Sequence, residues 1–101
     1  MRKRLKEGDL ITIELLAVNH ACGQQLGRFR TVFPKGMKFN TRNLNKARTE
    51  YRLNTMWFLV KFFRSEYGKA LEILGINPYN VRKTKKQARA IHSTVMGLLR
   101  T

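Results

Sequence analysis

The stretch Met56-Trp57-Phe58-Leu59-Val60-Lys61-Phe62-Phe63, residues 56–63, is apolar at every position but Lys61. A helix that is apolar on nearly every side must be covered by other elements on more than one side. The four aromatic rings of this stretch recur at helical spacing, and we expect them to fill a core rather than to stack on bases. The stretch therefore predicts a central helix around which the rest of the chain packs.

Helical periodicity extends from this stretch toward the N terminus. Starting at Asn43, apolar residues recur at helical intervals: Leu44, Ala47, Tyr51, Phe58 and Phe62. Either Thr41 or Asn43 could cap the first turn. The pattern predicts a helix that starts near residue 43 and continues through residues 56–63.

The last third of the chain predicts two further helices. One should begin near Ser65 and end at Gly75, because glycine readily adopts the left-handed conformation that ends helices. The next should start either at Asn77-Pro78 or at Thr84, which opens a capping box with Gln87. An apolar stripe then carries that helix almost to the C terminus: Val81, Ala88, Ile91, Val95 and Leu98.

The first third of the chain shows a period of two instead. Apolar and polar residues alternate over residues 9–18, and aromatic residues alternate with Arg28 and Arg30 over residues 26–33. Turn-forming residues lie between these runs, so the pattern predicts an antiparallel β-hairpin. Because a lone hairpin is marginal in water, it should pack on helices or pair with a third strand near Met37 to Phe39.

Together these elements predict one α+β domain over residues 1–101. An N-terminal antiparallel β-hairpin or small sheet, in residues 9–39, should pack on about three C-terminal helices in residues 41–100. Residues 1–8 are expected to form a flexible basic arm. A chain of 101 residues that is 43% hydrophobic can form one modest core and is too apolar for a disordered basic tail.

The charge of the chain is strongly one-sided, with 21 Lys and Arg against six Asp and Glu and a formal net charge of +15. No acidic residue lies between Glu14 and Glu50 or after Glu72. Such an excess destabilises the folded state through self-repulsion, which a partner of opposite charge would relieve. DNA or RNA is the leading candidate and an acidic protein surface the alternative, while a membrane surface or solubility alone explains the pattern less well.

Four of these cations cluster on the last predicted helix: Arg82, Lys85, Lys86 and Arg89. At roughly 100° per residue, they lie on an arc about 140° from the apolar stripe. A solvated helix face usually carries Asp or Glu four residues from its cations, and here there is none. The pattern predicts a surface that binds the phosphates of a nucleic acid.

A second basic surface is predicted in the first half of the chain: Arg28, Arg30, Lys35, Lys38 and Arg42. Arg28 and Arg30 should share one face of the second strand, which could lie in a groove of DNA or along phosphates. Ordinary outward-facing arginine on an edge strand is the alternative interpretation. Phe29, Phe33 and Phe39 lie near these cations and could stack on bases, although burial in the core is favoured.

Residues 70–83, Ala-Leu-Glu-Ile-Leu-Gly-Ile-Asn-Pro-Tyr-Asn-Val-Arg-Lys, resemble the helix-turn-helix of the Fis-type DNA-binding proteins. That family shows an alanine-rich helix, then Gly-Ile-Asn, and later an Arg-Lys pair. The resemblance implies a supporting helix over residues 67–74, a turn over residues 75–77 and a recognition helix from Pro78 to about Arg89. It also implies that four residues lie near DNA: Asn77, Asn80, Arg82 and Lys83.

The sequence predicts neither catalysis nor a metal or cofactor site. Two histidines and one cysteine, without CxxC or HxxxH spacing, cannot build the usual zinc sites. His20 and Cys22 lie two residues apart and could form a nucleophilic pair, but chance is the simpler interpretation. We expect His92 at the surface or at the boundary of the core. The chain is therefore predicted to be a binding protein and not an enzyme.

Three functions stay open on this reasoning. The leading one is a small cytoplasmic DNA-binding regulator that contacts phosphates through a C-terminal basic helix. The alternatives are an inhibitor or adaptor that binds an acidic surface of a nucleic-acid-processing protein, and a structural RNA-binding protein. The lone Cys22 agrees with a reducing compartment, and no apolar run approaches the ~20 residues of a membrane span. A homodimer would use the apolar stripe at Ile91, Val95 and Leu98.

Overall fold

The computed structural model describes residues 5–80 and 84–100, apart from the side chain of Asn80. Within these residues the chain forms six α-helices, one turn of 3-10 helix and a two-stranded antiparallel sheet. The elements follow one another as β1 (Leu10–Ile11), α1 (Ile13–Val18), α2 (Gly23–Val32), β2 (Met37–Lys38), α3 (Thr41–Thr49), α4 (Thr55–Phe62), α5 (Arg64–Leu74), the 3-10 helix (Pro78–Asn80) and α6 (Lys85–Arg100). The predicted α+β class is confirmed, although the helices outnumber the three expected.

The sheet is a ladder of two residue pairs, Leu10 with Lys38 and Ile11 with Met37. β2 lies in the segment that the sequence predicts as a third strand, but two helices separate it from β1, so the predicted hairpin is wrong. Gly36 precedes β2 with a φ of 93°, and a Cβ atom there would lie 2.9 Å from the carbonyl oxygen of Ile11. Glycine is the residue that permits this close approach of the two segments.

The predicted first strand is mostly helix. β1 covers only Leu10 and Ile11, after which Thr12 caps α1 because its Oγ1 atom accepts a hydrogen bond from the Leu15 N–H at 3.2 Å. The core buries Leu16 of α1, which the period of two places on the polar face. A helix of six residues is too short for its apolar pattern to be distinguished from alternation, so the threonine cap decides the local structure.

The predicted second strand is the helix α2. Leu26, Phe29 and Phe33 lie three and four residues apart, which is also the spacing of one helix face. Phe29 is buried, and its ring centroid lies 5.4 Å from that of Phe33. Because residues two apart point in nearly opposite directions on a helix, Arg28 and Arg30 do not share a face.

The helix predicted from residue 43 is two helices, α3 and α4. The Asn40 side chain starts α3 earlier than expected by accepting a hydrogen bond from the Asn43 N–H at 2.7 Å. After α3 ends, Arg52 adopts the left-handed conformation with a φ of 53°. Asn54 then caps α4 by accepting from the Trp57 N–H at 3.0 Å. Two asparagine caps therefore divide what looks in sequence like one helical pattern.

The apolar stretch on α4 lies in the core, as its composition predicts. Met56, Phe58 and Leu59 are buried, and so is Phe63 directly after the helix. The ring of Phe39, which follows β2, stacks on that of Phe63 with centroids 5.2 Å apart. These contacts join α4 to the segment that leaves the β ladder.

The helix α6 packs against both α5 and α3. α5 ends at Gly75 in the left-handed conformation (φ 68°), which confirms the predicted terminator. α6 begins at Lys85, the later of the two predicted starts, and the Thr84 hydroxyl accepts from the Gln87 N–H at 3.2 Å. The buried residues of α6 are three from the predicted stripe and two others: Ala88, Ile91, Val95, His92 and Met96.

Candidate nucleic-acid interface

The outer face of α6 presents three of the four cations in the predicted stripe. Lys85, Lys86 and Arg89 are exposed and occupy the first two turns of the helix. No Asp or Glu occurs on α6, and these three cations make no ion pair within residues 5–80 and 84–100. Their charge is therefore available to an external anion. The fourth cation, Arg82, lies outside the described residues.

The far end of α6 has a different electrostatic environment. Arg100 and Glu7 form an exposed ion pair in which the arginine Nε–H donates to Oε2 at 2.7 Å. This hydrogen bond holds the pKa of Glu7 below its usual value. The cationic character of α6 is thus concentrated at its N-terminal end.

The neighbouring helix α3 adds two cations, of which the sequence assigned only one to binding. Arg42 and Lys46 are exposed and lie one turn apart on α3. α3 packs on α6, and Nδ1 of His92 lies 2.7 Å from Oδ1 of Asn45. Cationic faces therefore stand on two adjacent helices. Lys46 was missed because Glu50, four residues later, makes an intrahelical ion pair the simpler expectation. The part of the chain that the structure describes contains no such pair.

The remaining residues of the predicted second surface lie on separate elements. Arg28 is partly buried, and its Nη1–H donates to the carbonyl oxygen of Arg52 at 2.9 Å. Arg30 is exposed on α2, while Lys35 and Lys38 are exposed after it. The predicted arginine ribbon is wrong, because the strand that it requires is helix α2.

The connector between α5 and α6 contains all four residues that the family resemblance assigns to DNA. Asn77 is exposed, and its Oδ1 atom accepts from the Tyr79 N–H at 2.9 Å, so this side chain supports the 3-10 helix. The side chain of Asn80 lies outside the description, as do Arg82 and Lys83.

Exposed apolar side chains lie on the same connector and next to it, at the end of α5. Ile73 is 65% exposed and Tyr79 is 92% exposed. Sequence reasoning missed both, because Ile73 fits a helical stripe and Tyr79 lies in a segment without periodicity. The core buries Phe29 and Phe39, as favoured, so Tyr79 replaces them as the candidate for base stacking.

A buried polar network centred on His92 supports α6 from behind. His92 is 0% exposed, so the predicted boundary position is wrong. Its Nδ1–H donates to Asn45 Oδ1 at 2.7 Å, and the Thr55 hydroxyl donates to Nε2 at 2.8 Å. Burial and the nearby Arg48 guanidinium lower the pKa of His92 to about 4. The neutral ring therefore ties α6 to both α3 and α4.

Residues 5–80 and 84–100 contain no group of three or more metal-ligating side chains. No helix in this part of the chain is long and apolar enough to cross a membrane.

The chain matches no protein-family model, no curated protein and no solved structure.

Proposed function

We propose that this chain is a small nucleic-acid-binding protein, a DNA-binding regulator of the cytoplasm rather than an enzyme. The observation that carries the proposal is the exposed set of Lys85, Lys86 and Arg89 on a helix without any acidic residue. Arg42 and Lys46 are further exposed cations on the adjacent helix α3, which packs on α6. Phosphates spaced along a nucleic acid backbone are the anions that match such an extended array.

Electrostatic energy favours an external polyanion as the partner. A formal charge of +15 on 101 residues repels itself in the folded state, and few acidic residues are present to compensate it. Binding to phosphates relieves this repulsion and releases the counterions condensed on the nucleic acid. Affinity should therefore fall steeply as the salt concentration rises.

The helix-turn-helix resemblance gives the proposal a specific geometry. By this resemblance, α5 would be the supporting helix, Gly75 would begin the turn, and the residues from Pro78 to about Arg89 would lie in the major groove. In the structure, Pro78–Asn80 is a 3-10 helix and α6 begins at Lys85, so the first turn of α6 is the helical part of this region that would reach the groove. Lys85, Lys86 and Arg89 would then lie at the groove or its edges, with Tyr79 beside them. Asn77, Asn80, Arg82 and Lys83 belong to the same proposed contact region.

The test is a comparison of two triple variants that remove equal charge. K85A/K86A/R89A removes the α6 cations, whereas the matched control K61A/R64A/K69A removes exposed cations from α4 and α5. Both should be titrated against duplex DNA, single-stranded DNA and structured RNA at two salt concentrations. We expect the α6 variant to lose about tenfold or more in affinity and its log–log salt slope to decrease by about 2 to 3, at ~0.9 per phosphate contact on duplex DNA.

Equal losses in the two variants would contradict the assignment to α6 and indicate attraction by net charge alone. If neither variant changes binding, the proposal fails altogether. Preference for structured RNA over both forms of DNA would favour a structural RNA-binding protein, which the charge pattern fits equally well.

A second candidate function is an inhibitor or adaptor that binds an acidic surface of a nucleic-acid-processing protein. The observation in its favour is the exposure of Ile73 and Tyr79 close in sequence to the cations of α6. Protein interfaces combine apolar and aromatic anchors with arginine in this way. A stoichiometric partner captured from a nuclease-treated lysate, and lost in I73A/Y79A, would support this function over the first.

A further inference from the structure

The core contains a cavity that the proposed function does not use. Its volume is about 300 Å³, and it lies between the β ladder and the helices α2, α3 and α4. The walls are formed by apolar side chains that include Ile11, Leu16, Phe29, Met37, Leu44 and Phe58. Protein interiors are otherwise packed about as densely as crystals of small organic molecules. An unfilled space of this size is therefore unusual, and a ligand that filled it would gain the missing van der Waals contacts.

One side of the cavity reaches solvent between two connecting loops. His20 and Cys22 of the α1–α2 loop line it, as does Asn54 of the α3–α4 loop, and these three residues are exposed. Within residues 5–80 and 84–100, the non-glycine residues with positive φ are His20 (68°) and Arg52 (53°), one in each loop. Strained backbone of this kind persists where the surroundings hold it and is concentrated at functional sites.

Hydrogen bonds from α2 hold the α3–α4 loop in place. Gln25 Oε1 accepts from the Asn54 N–H at 2.8 Å, and Arg28 donates to the Arg52 carbonyl oxygen at 2.9 Å. Asn54 Oδ1 in turn accepts from the Trp57 N–H. Because both amide oxygens are engaged, the amide NH₂ groups of Gln25 and Asn54 are the donors left at the cavity entrance.

The entrance has a cation close by and no compensating anion. The Arg28 guanidinium, although it does not line the cavity, lies against the backbone of the α3–α4 loop, and no acidic residue among residues 5–80 and 84–100 lines the cavity. Two amide donors and a nearby guanidinium match a carboxylate, which accepts hydrogen bonds only and carries negative charge. A ligand with an ammonium head would meet repulsion at the same place.

Size limits the apolar part of such a ligand. A protein cavity of about 150 Å³ holds benzene, so about twice that volume accommodates two fused rings or a chain of about eight to ten carbons. We propose that this cavity binds a small amphipathic carboxylate, with its apolar body between Phe29, Leu44 and Phe58 and its carboxylate at Gln25 and Asn54, near Arg28. This site is independent of the cationic surface of α6.

The chain contains its own reporter for this binding. Trp57 is the single tryptophan and lines the cavity, and Cys22 is the single cysteine and lies at the entrance. Decanoate should change Trp57 fluorescence saturably and should slow alkylation of Cys22 by iodoacetamide. Decan-1-ol and decylammonium, which keep the chain but not the carboxylate, should bind at least about tenfold more weakly.

Variants separate cavity binding from binding elsewhere on the surface. Ala47 is buried in the cavity wall, so A47M should fill the space and weaken decanoate binding at least about tenfold with the fold retained by circular dichroism. A17M adds the same side chain at an exposed position outside the cavity and should bind like the unsubstituted protein. R28Q should weaken decanoate more than decan-1-ol.

Specific results would overturn the proposal. These are equal binding by A47M and the unsubstituted protein, equal affinity for decanoate and decylammonium, or the absence of any saturable fluorescence change in the unsubstituted protein. If A47M does not fold, the rate at which iodoacetamide alkylates Cys22 in the unsubstituted protein is the deciding measurement. An alkylation rate that saturating decanoate does not lower would refute the site. None of these outcomes bears on nucleic-acid binding, which the α6 variants test separately.

Discussion

The two ends of the core are built differently. Around α6, the side chains of Ile91, His92, Val95 and Met96 are fully enclosed, and both ring nitrogens of His92 are hydrogen bonded. Around α2 and the β ladder, the apolar side chains are also buried, but they surround a cavity of about 300 Å³ that opens to solvent on one side. Burial of the side chains and complete filling of the space between them are therefore separate properties within one core.

Because of this difference, the two ends of the core should differ in how well they tolerate a change in side-chain volume. The filled end, around α6, supports the helix whose outer face carries the proposed phosphate contacts, and it should be destabilised by any change of side-chain volume. The open end, around the cavity between α2 and the β ladder, lies beneath two strained loops and should accept a larger side chain. Thr55 belongs to both ends, because its hydroxyl donates to His92 while its side chain lines the cavity.

The largest effect should come from removing volume at the filled end. Ile91 is 0% exposed, and I91A should lower the free energy of unfolding by about 2–5 kcal/mol through lost burial and a new cavity. Urea denaturation monitored by circular dichroism measures this change. A loss below about 1 kcal/mol would mean that this end relaxes easily, and the contrast between the two ends would disappear.

The next largest effect concerns pH. Unfolded histidine takes up a proton near pH 6.5, whereas folded His92 does so only near pH 4. Between these values the unfolded state binds more protons, so the stabilisation from His92 is complete above about pH 6.5 and decreases as the pH falls toward 4. The total decrease should be about 3 kcal/mol.

The variant H92Q isolates the contribution of His92 protonation to the free energy of unfolding, because glutamine can hydrogen bond to Asn45 and Thr55 but does not titrate. The difference in unfolding free energy between the unsubstituted protein and H92Q should shrink by that amount between pH 6.5 and pH 4. A constant difference across this range would place the histidine in contact with water and not in a closed interior.

A pair of alanine substitutions compares the two ends directly. Ala88 lies on the buried face of α6, and A88M should cost about 1–3 kcal/mol through overpacking. Ala47 lines the cavity, and A47M should change the unfolding free energy by less than about 0.5 kcal/mol or raise it. Melting temperatures of the two variants measure the contrast, and equal destabilisation would refute it.

The smallest expected effects are those of the helix caps at the two ends. T84A removes the cap of α6 and N54A that of α4, and each should lower the unfolding free energy by about 0.5–1 kcal/mol. Only N54A should also weaken decanoate binding, because Asn54 lies at the cavity entrance. Loss of decanoate binding in T84A would show that the two ends are coupled.

The sequence predicts the filled end better than the open one. In α6 the apolar stripe repeats over 16 residues, so Ala88, Ile91 and Val95 are correctly predicted to be buried. In residues 9–39, α1 spans only six residues, and its pattern fits a strand as well as a helix. In α2 the spacing of Leu26, Phe29 and Phe33 did contain a helical signal, which alternation with arginine obscured.

Other features depend on contacts between residues far apart in the chain. His92 is buried because Asn45 and Thr55, 47 and 37 residues away, satisfy its nitrogens. No local pattern encodes such partners. The cavity is a still clearer case, because it is a space that side chains from several elements fail to fill. The exposed cations of α6, by contrast, follow from the position of a periodic stripe on the same helix.

The close approach at Gly36 has a consequence for how this protein can vary. Any other residue would have to adopt a φ of 93° and place its Cβ atom 2.9 Å from the Ile11 carbonyl oxygen, in a ladder of only two residue pairs. Met37 and Ile11 of that ladder also form part of the cavity wall. In a random-mutagenesis library screened for folded protein, glycine should be retained at position 36, while the exposed Gly27 and Gly68, which lack a positive φ and a close neighbour outside their own helix, should accept other residues.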